Sequence, residues 1–189
     1  MLTVTVLRDE LLEGRAIATA GGAPEGVREA LERLGARVET LPADGVLAGD
    51  EERVGDWARG VAPLDALVYD ARQTFGTGGA EAVTEALERG WVAVREVANG
   101  ALIPSGGPGK VVLLGPHPDA GPHAEAARAA LENLARTLSV EWARHGVTAA
   151  MIAPGRGTTD DELAELVCFL VSAAGEYFSG CRLELGATA

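Results

Sequence analysis

Short apolar segments rich in β-branched residues alternate along the chain with segments of helical periodicity, and this alternation limits the fold more than any other feature. The strand-like segments span residues 2–6, 16–19, 36–41, 64–70, 110–115, 147–153 and 181–185. Between them apolar residues recur at helical spacing, as Val27, Leu31 and Leu34 do. Strands that alternate with helices need crossover connections, which give a parallel sheet with helices on both faces. The apolar runs 64–69 and 111–114 are typical of central strands covered on both sides.

The chain has 189 residues, which is enough for one well-packed domain and short for two. No linker, internal repeat or low-complexity segment divides it. We therefore predict a single α/β domain over 1–189, a doubly wound and mainly parallel sheet of about six to seven strands.

Charge and composition exclude several classes of partner. The net charge of −12 argues against binding to nucleic acid and to anionic membranes. No apolar run approaches the ~20 residues that span a bilayer, and the N-terminus lacks the pattern of a secretory signal. The two cysteines, Cys168 and Cys181, fit free thiols in a reducing compartment. These features predict a cytoplasmic protein.

The first candidate for a ligand site is the glycine turn TAGGAPEGVREAL, residues 19–31, which follows a strand and begins a helix. Glycine allows a tight turn and the close approach of a pyrophosphate to a helix N-terminus. Gly22 and Gly26 have a suitable spacing, but the third glycine of a dinucleotide turn is replaced by Arg28. The turn is either a nucleotide site or a structural left-handed turn, and the sequence leaves both open.

The glycine turn, the strand at 64–71 and the stretch 124–155 together carry a family resemblance. The last of these, AEAARAALENLARTLSVEWARHGVTAAMIAPG, resembles the long helix, strand and Pro-Gly turn of the short-chain dehydrogenase/reductase family. The segment FLVSAAGEYFSGCRLELG, 169–186, is similar to that family's last helix and strand. The resemblance implies a Rossmann-like fold, shortened relative to the family, and a cofactor that is NAD or NADP.

The catalytic residues of that family are missing or displaced. The resemblance places the family's tyrosine, which is the proton donor, at Ala124, and its lysine at Arg128. Alanine transfers no proton. The strand that precedes the family's serine is followed here by Gly115 and Pro116, and the helical asparagine falls at Ala98.

The resemblance also implies where a cofactor would bind. The family's Asn-Asn-Ala-Gly turn has become Tyr69-Asp70-Ala71-Arg72, with the glycine lost. The segment that covers the substrate is shortened to 156–162, and a second deletion near 41–50 removes a strand or the acidic residue that holds the adenosine ribose. The residues expected to contact the cofactor are Gly22, Gly26, Asp70, Ala71, Arg128, Pro154, Gly155 and Thr159.

Other side chains could have replaced the lost acid. His117, Asp119 and His123 lie in the segment HPDAGPH beyond the end of a central strand, and Tyr69 ends the strand at 64–70. They could supply a relocated general acid, or the histidines a weak metal site. Alternatively, the loop is simply solvated, and Tyr69 lies at the end of its strand with its hydroxyl at the surface and no catalytic role.

Two hypotheses about function follow. The first is a degenerate short-chain dehydrogenase/reductase that serves as a non-catalytic binding, structural or regulatory subunit. In the family, helices matching 79–104 and 124–145 form dimers or tetramers, which predicts a homo-oligomer or a complex with an active relative. Trp91 and Trp142 provide apolar surface for such contacts. The alternative is an NAD(P)-dependent oxidoreductase for carbonyls or alcohols that uses His123 or Tyr69.

Overall fold

The computed structural model describes residues 7–22, 25–44, 49–72 and 79–186. The strand predicted at 2–6 lies outside the described residues, as does part of the predicted deletion near 41–50. No helix in the described ranges is long and apolar enough to cross a membrane.

Strands and helices alternate along the chain as the sequence pattern predicts. The strands are β1 Ala16–Ala20, β2 Arg37–Thr40, β3 Ala66–Asp70, β4 Gly109–Leu114, β5 Val147–Pro154 and β6 Cys181–Leu185. The helices are α1 Glu25–Arg33, α2 Glu51–Val61, α3 Ala80–Val97, α4 Ala124–Glu141 and α5 Asp160–Val171. A π-helical turn, Ala98–Leu102, extends α3, and 3₁₀ turns at Ala143–His145 and Ala173–Tyr177 follow α4 and α5.

The described strands form one parallel sheet in the order β2-β1-β3-β4-β5-β6. The predicted doubly wound α/β fold is therefore confirmed. The central strands β3 and β4 are buried along their whole length, because helices cover both faces of the sheet.

Two apolar cores lie on opposite faces of the sheet, as the alternation of side chains along a strand requires. Leu67 and Leu113 face α2, α3 and α4, whereas Val68 and Val112 face α1 and α5. Helices α1 and α5 therefore lie side by side, and their first turns lie at the same edge of the sheet as the carboxyl ends of the strands.

Local sequence explains where several helices begin. The Asp50 side chain accepts a hydrogen bond from the Arg53 N–H at the start of α2. Thr159 and Glu162 form a capping box at the start of α5, in which each side chain bonds the other residue's backbone N–H.

Candidate functional site

The strand order reverses between β1 and β3, and in such sheets ligands bind outside the carboxyl ends of the strands at this switch point. The space outside the ends of β1 and β3, bounded by the first turns of α1 and α5, is called here the switch-point crevice. Most of the residues expected to contact a cofactor lie around it or along the neighbouring strand ends.

The tightest residue of the glycine turn is Gly21, which is not among the residues predicted to contact a cofactor. Its φ is +80°, and a Cβ at this position would lie 2.3 Å from the Asp70 carbonyl oxygen. Gly22 also has a positive φ, of +97°. Gly26 lies in the first turn of α1, where a Cβ would meet no atom within 4 Å. The Gly21-Gly22 pair, rather than the Gly22/Gly26 spacing, is the pattern that could have located the turn.

Replacing Gly21 by alanine should lower the free energy of unfolding by about 2 kcal/mol, since alanine is strained at positive φ and its Cβ would contact a backbone carbonyl. The matched control is Gly26→Ala, which should stabilise the protein by about 0.5–1 kcal/mol because it removes a glycine from a helix. Urea denaturation measures both. Equal effects of the two substitutions would contradict the assigned turn.

The N-terminus of α1 carries its own charges. Glu25 occupies the first turn and pairs with Arg28, whose guanidinium also donates to Glu32 at 2.9 Å. Arg28 is therefore engaged within its own helix rather than directed at an external phosphate.

Asp70 ends β3 with its side chain fully buried, and Arg72 binds it in two ways. The Arg72 backbone N–H donates to Asp70 Oδ1 at 2.9 Å, and its guanidinium donates to both carboxylate oxygens at 3.0–3.2 Å. Burial raises the pKa of Asp70, and the hydrogen bonds and charge of Arg72 offset part of this rise. The side chain of Arg72 is itself only 14% exposed.

The same guanidinium reaches a second carboxylate. Its Nη1 donates to Asp160 Oδ1 at 3.0 Å, at the first residue of α5. Asp70, Arg72 and Asp160 thus form what is called here the Arg72 bridge. It joins the end of β3 to the helix that follows β5, two strands away in the sheet.

Arg128, which the resemblance places at the family's lysine, is buried and bonded to the protein itself. Its Nη1 donates to the carbonyl oxygens of Pro116 and Pro154 at 2.9 and 2.8 Å, and its Nη2 to Glu184 at 3.2 Å. The Glu125 carboxylate lies 3.3 Å from its Nε. Arg128 therefore holds together the segments that follow β4 and β5.

The positions that the resemblance assigns to the family's tyrosine and serine are closely packed by neighbouring atoms. Ala124 is 1% exposed at the start of α4. A Cβ on Gly115 would lie 2.2 Å from the Met151 methyl carbon. Ala71 is also buried, and its N–H donates to the Leu114 carbonyl.

The remaining residues expected to contact a cofactor are Pro154, Gly155 and Thr159, which lie at the end of β5 and in the tight loop that follows it. The Gly155 N–H donates to the Leu185 carbonyl and lies 2.8 Å from Thr158 Oγ1. The hydroxyl of Thr159 participates in the capping box of α5. These polar groups thus bond to the protein itself.

The candidate acids lie in different surroundings. His117 is half-buried, with Nδ1 3.1 Å from the Gly155 carbonyl oxygen, and His123 is the half-buried residue that precedes α4. Tyr69 is 1% exposed, with its ring packed beneath Gly21 and against Gly90.

Nowhere in the four described ranges do three His, Cys, Asp or Glu side chains come together as a metal site requires.

No protein-family model and no curated protein matches the sequence. Solved structures do match over nearly the whole chain. A hydroxysteroid dehydrogenase from Escherichia coli has a TM-score of 0.78 at 17% identity, covering 96% of this chain and 99% of that one. RhlG from Pseudomonas aeruginosa, solved as an NADP active-site complex, has a TM-score of 0.77 at 18% identity, with coverages of 96% and 99%.

A short-chain dehydrogenase/reductase from Serratia marcescens has a TM-score of 0.72 at 22% identity and covers 92% of this chain and 96% of its own. Likeness at such identities concerns the fold. The chain therefore has the Rossmann-like fold of these dehydrogenases and reductases.

Proposed function

We propose that this protein is a non-catalytic relative of the short-chain dehydrogenases/reductases that acts as a binding, structural or regulatory subunit. The observation that supports this most strongly is that the space around the catalytic positions is filled by the chain's own atoms. Met151 packs on Gly115, Ala124 is buried, and Arg128 bonds to two carbonyls. A proton donor has no place at the family's position without repacking.

The relocated-acid alternative has less support. Tyr69, which it invokes, is buried against Gly21 and Gly90, so its hydroxyl does not face a substrate space. His123 is half-buried at the start of α4. None of its hydrogen bonds in the described part of the chain links it to a second catalytic group.

The assembly role rests on α3 and α4. Leu138 and Trp142 lie in the protomer's own core, which is a correction to the expectation that Trp142 adds surplus apolar surface. Trp91 on α3 is 38% exposed and Val140 on α4 is 75% exposed. Arg95 lies over the Trp91 ring, 5.8 Å from its centroid. We infer that these helices form the contact of a homodimer or homotetramer.

We expect light scattering at micromolar concentration to give at least the mass of a dimer. Trp91→Asp should dissociate it, because a charge would be buried in the contact. Tyr177→Asp is the matched control, since Tyr177 is 93% exposed and lies after α5, outside α3 and α4. A monomeric wild-type protein would contradict the assembly role.

We also expect no oxidation of NADH or NADPH above background with panels of aldehydes and ketones, and no reduction of NAD or NADP with alcohols. Absorbance at the nicotinamide band measures this, and an active short-chain reductase assayed in parallel is the control. Turnover that is lost in His123→Ala would establish the relocated-acid alternative instead.

A further inference from the structure

We propose that the Arg72 bridge occupies the switch-point crevice from within and is the feature that excludes a dinucleotide from this protein. This inference rests on the proposed function, because a crevice that the chain itself fills would give a relative of these enzymes that does not bind their cofactor. It assigns to Arg72 a role in determining what the crevice can bind.

The bridge lies where the fold would place a ligand. Asp70 ends β3, and its backbone carbonyl lies against Gly21 in the turn that follows β1, so Asp70 lies at the point of strand reversal. From there the guanidinium extends to Asp160 at the first turn of α5. The side chains of Asp70 and Arg72 are 0% and 14% exposed, so this part of the bridge is packed within the protein, whereas the Asp160 carboxylate is 66% exposed.

The charges around the crevice oppose a polyanion. A pyrophosphate binds well where free N–H groups and the positive end of a helix dipole meet it. Here the first turns of both helices carry carboxylates, which already complement those dipoles. Glu25 of α1 is paired with Arg28, whereas in the Arg72 bridge one guanidinium serves both Asp70 and Asp160, and Asp161 and Glu162 add two further carboxylates to the first turn of α5.

The residues at the crevice therefore do not fit NAD or NADP, since the guanidinium present is already bound to two carboxylates and both helix N-termini are acidic. Removing the Arg72 bridge should free the space that its side chains fill and so remove the steric barrier to a dinucleotide.

The decisive variant is the double substitution Asp70→Asn with Arg72→Gly. It removes both members of the buried pair, so no buried charge is left unpaired. The probes are NADH and NADPH, titrated by calorimetry and by melting temperature, since a ligand that binds the native state raises that temperature. We expect no shift for the wild-type protein at ~1 mM cofactor, and binding at least about tenfold tighter for the double variant.

Asp160→Asn is the matched control. It weakens the exposed arm of the bridge while Arg72 stays on Asp70, so it should not gain binding. Wild-type binding of NADH at micromolar concentration would overturn the inference, and so would a folded double variant that still binds nothing. Either result leaves the proposed non-catalytic function standing, because only turnover in the assay above contradicts that.

Discussion

Replacing Arg72 by alanine should lower the free energy of unfolding by about 3–5 kcal/mol, because it leaves a buried carboxylate without its partner. Asp70 accepts at least four hydrogen bonds from Arg72 and is fully buried. The substitution removes the three guanidinium bonds and the balancing charge, while the backbone N–H remains. Urea denaturation at pH 7 measures the loss.

The pH dependence of this loss has a definite sign. Burial already raises the pKa of Asp70 in the wild-type protein, and removing the guanidinium raises it further. The native state of the variant then binds a proton more readily than the unfolded chain does, so its stability relative to wild type improves as the pH falls. We expect the difference between the two proteins to be greatest near pH 7 and to shrink towards pH 4.

Two further variants test whether the unpaired carboxylate of Asp70 causes the loss of stability in Arg72→Ala. The double variant Asp70→Asn with Arg72→Ala should recover most of the lost stability, because no uncompensated charge remains. Arg89→Ala removes an exposed pair with Glu85, 3.3 Å long, and should cost less than about 0.5 kcal/mol. If Arg72→Ala costs no more than Arg89→Ala, the bridge does not form as described.

The fold could be predicted because its determinants are local in sequence. The apolar run at 64–70 became β3 and that at 110–115 became β4, and both are buried on two faces as such runs require. Helix α3 ends before the predicted helix 79–104 does, because a π-helical turn, Ala98–Leu102, replaces its last turn.

The site could be predicted only in part, because its contacts join residues that are distant in sequence. Arg72 and Asp160 are 88 positions apart, and Arg128 and Glu184 are 56 apart. The loss of the glycine at 72 was visible in the sequence, but the partner of the arginine that replaced it was not. The Asp70-x-Arg72 spacing at a strand end was the available indication that the new charge would be neutralised locally.

The buried amine of Lys110 is a second feature that could not be predicted from the sequence. It lies at the opposite edge of the sheet, where the strands begin. Lys110 is the single lysine of the chain and lies at the start of β4. Its side chain is on the face of β4 that packs against α1 and α5, since it alternates with Val111 and shares a face with Val112. It is 3% exposed, and its Nζ has no hydrogen-bond partner among the described residues.

Burial lowers the pKa of Lys110, the charge of Glu176 offsets part of this, and Arg15 lowers it further. An ionised donor that is buried without a partner costs at least the 1–3 kcal/mol of a lost hydrogen bond. Lys110→Met keeps the unbranched apolar stem of the side chain, one atom shorter, and removes the charge. We therefore expect this substitution to raise the free energy of unfolding by about 3 kcal/mol at pH 7.

The advantage of Lys110→Met should depend on pH in a defined direction. Between the lowered pKa of the folded protein and the ordinary value near 10.4, the unfolded chain binds one more proton than the native state. Wild-type stability therefore rises with pH through this window relative to the methionine variant, which does not titrate there. The difference between the two proteins should be large at pH 7 and smaller at pH 10.

Lys110→Arg is the control, because arginine stays charged at both pH values and should give no stabilisation at either. A methionine variant less stable than wild type at pH 7 would mean that the amine has a partner that stabilises its charge, and the burial of Lys110 would then be favourable rather than costly.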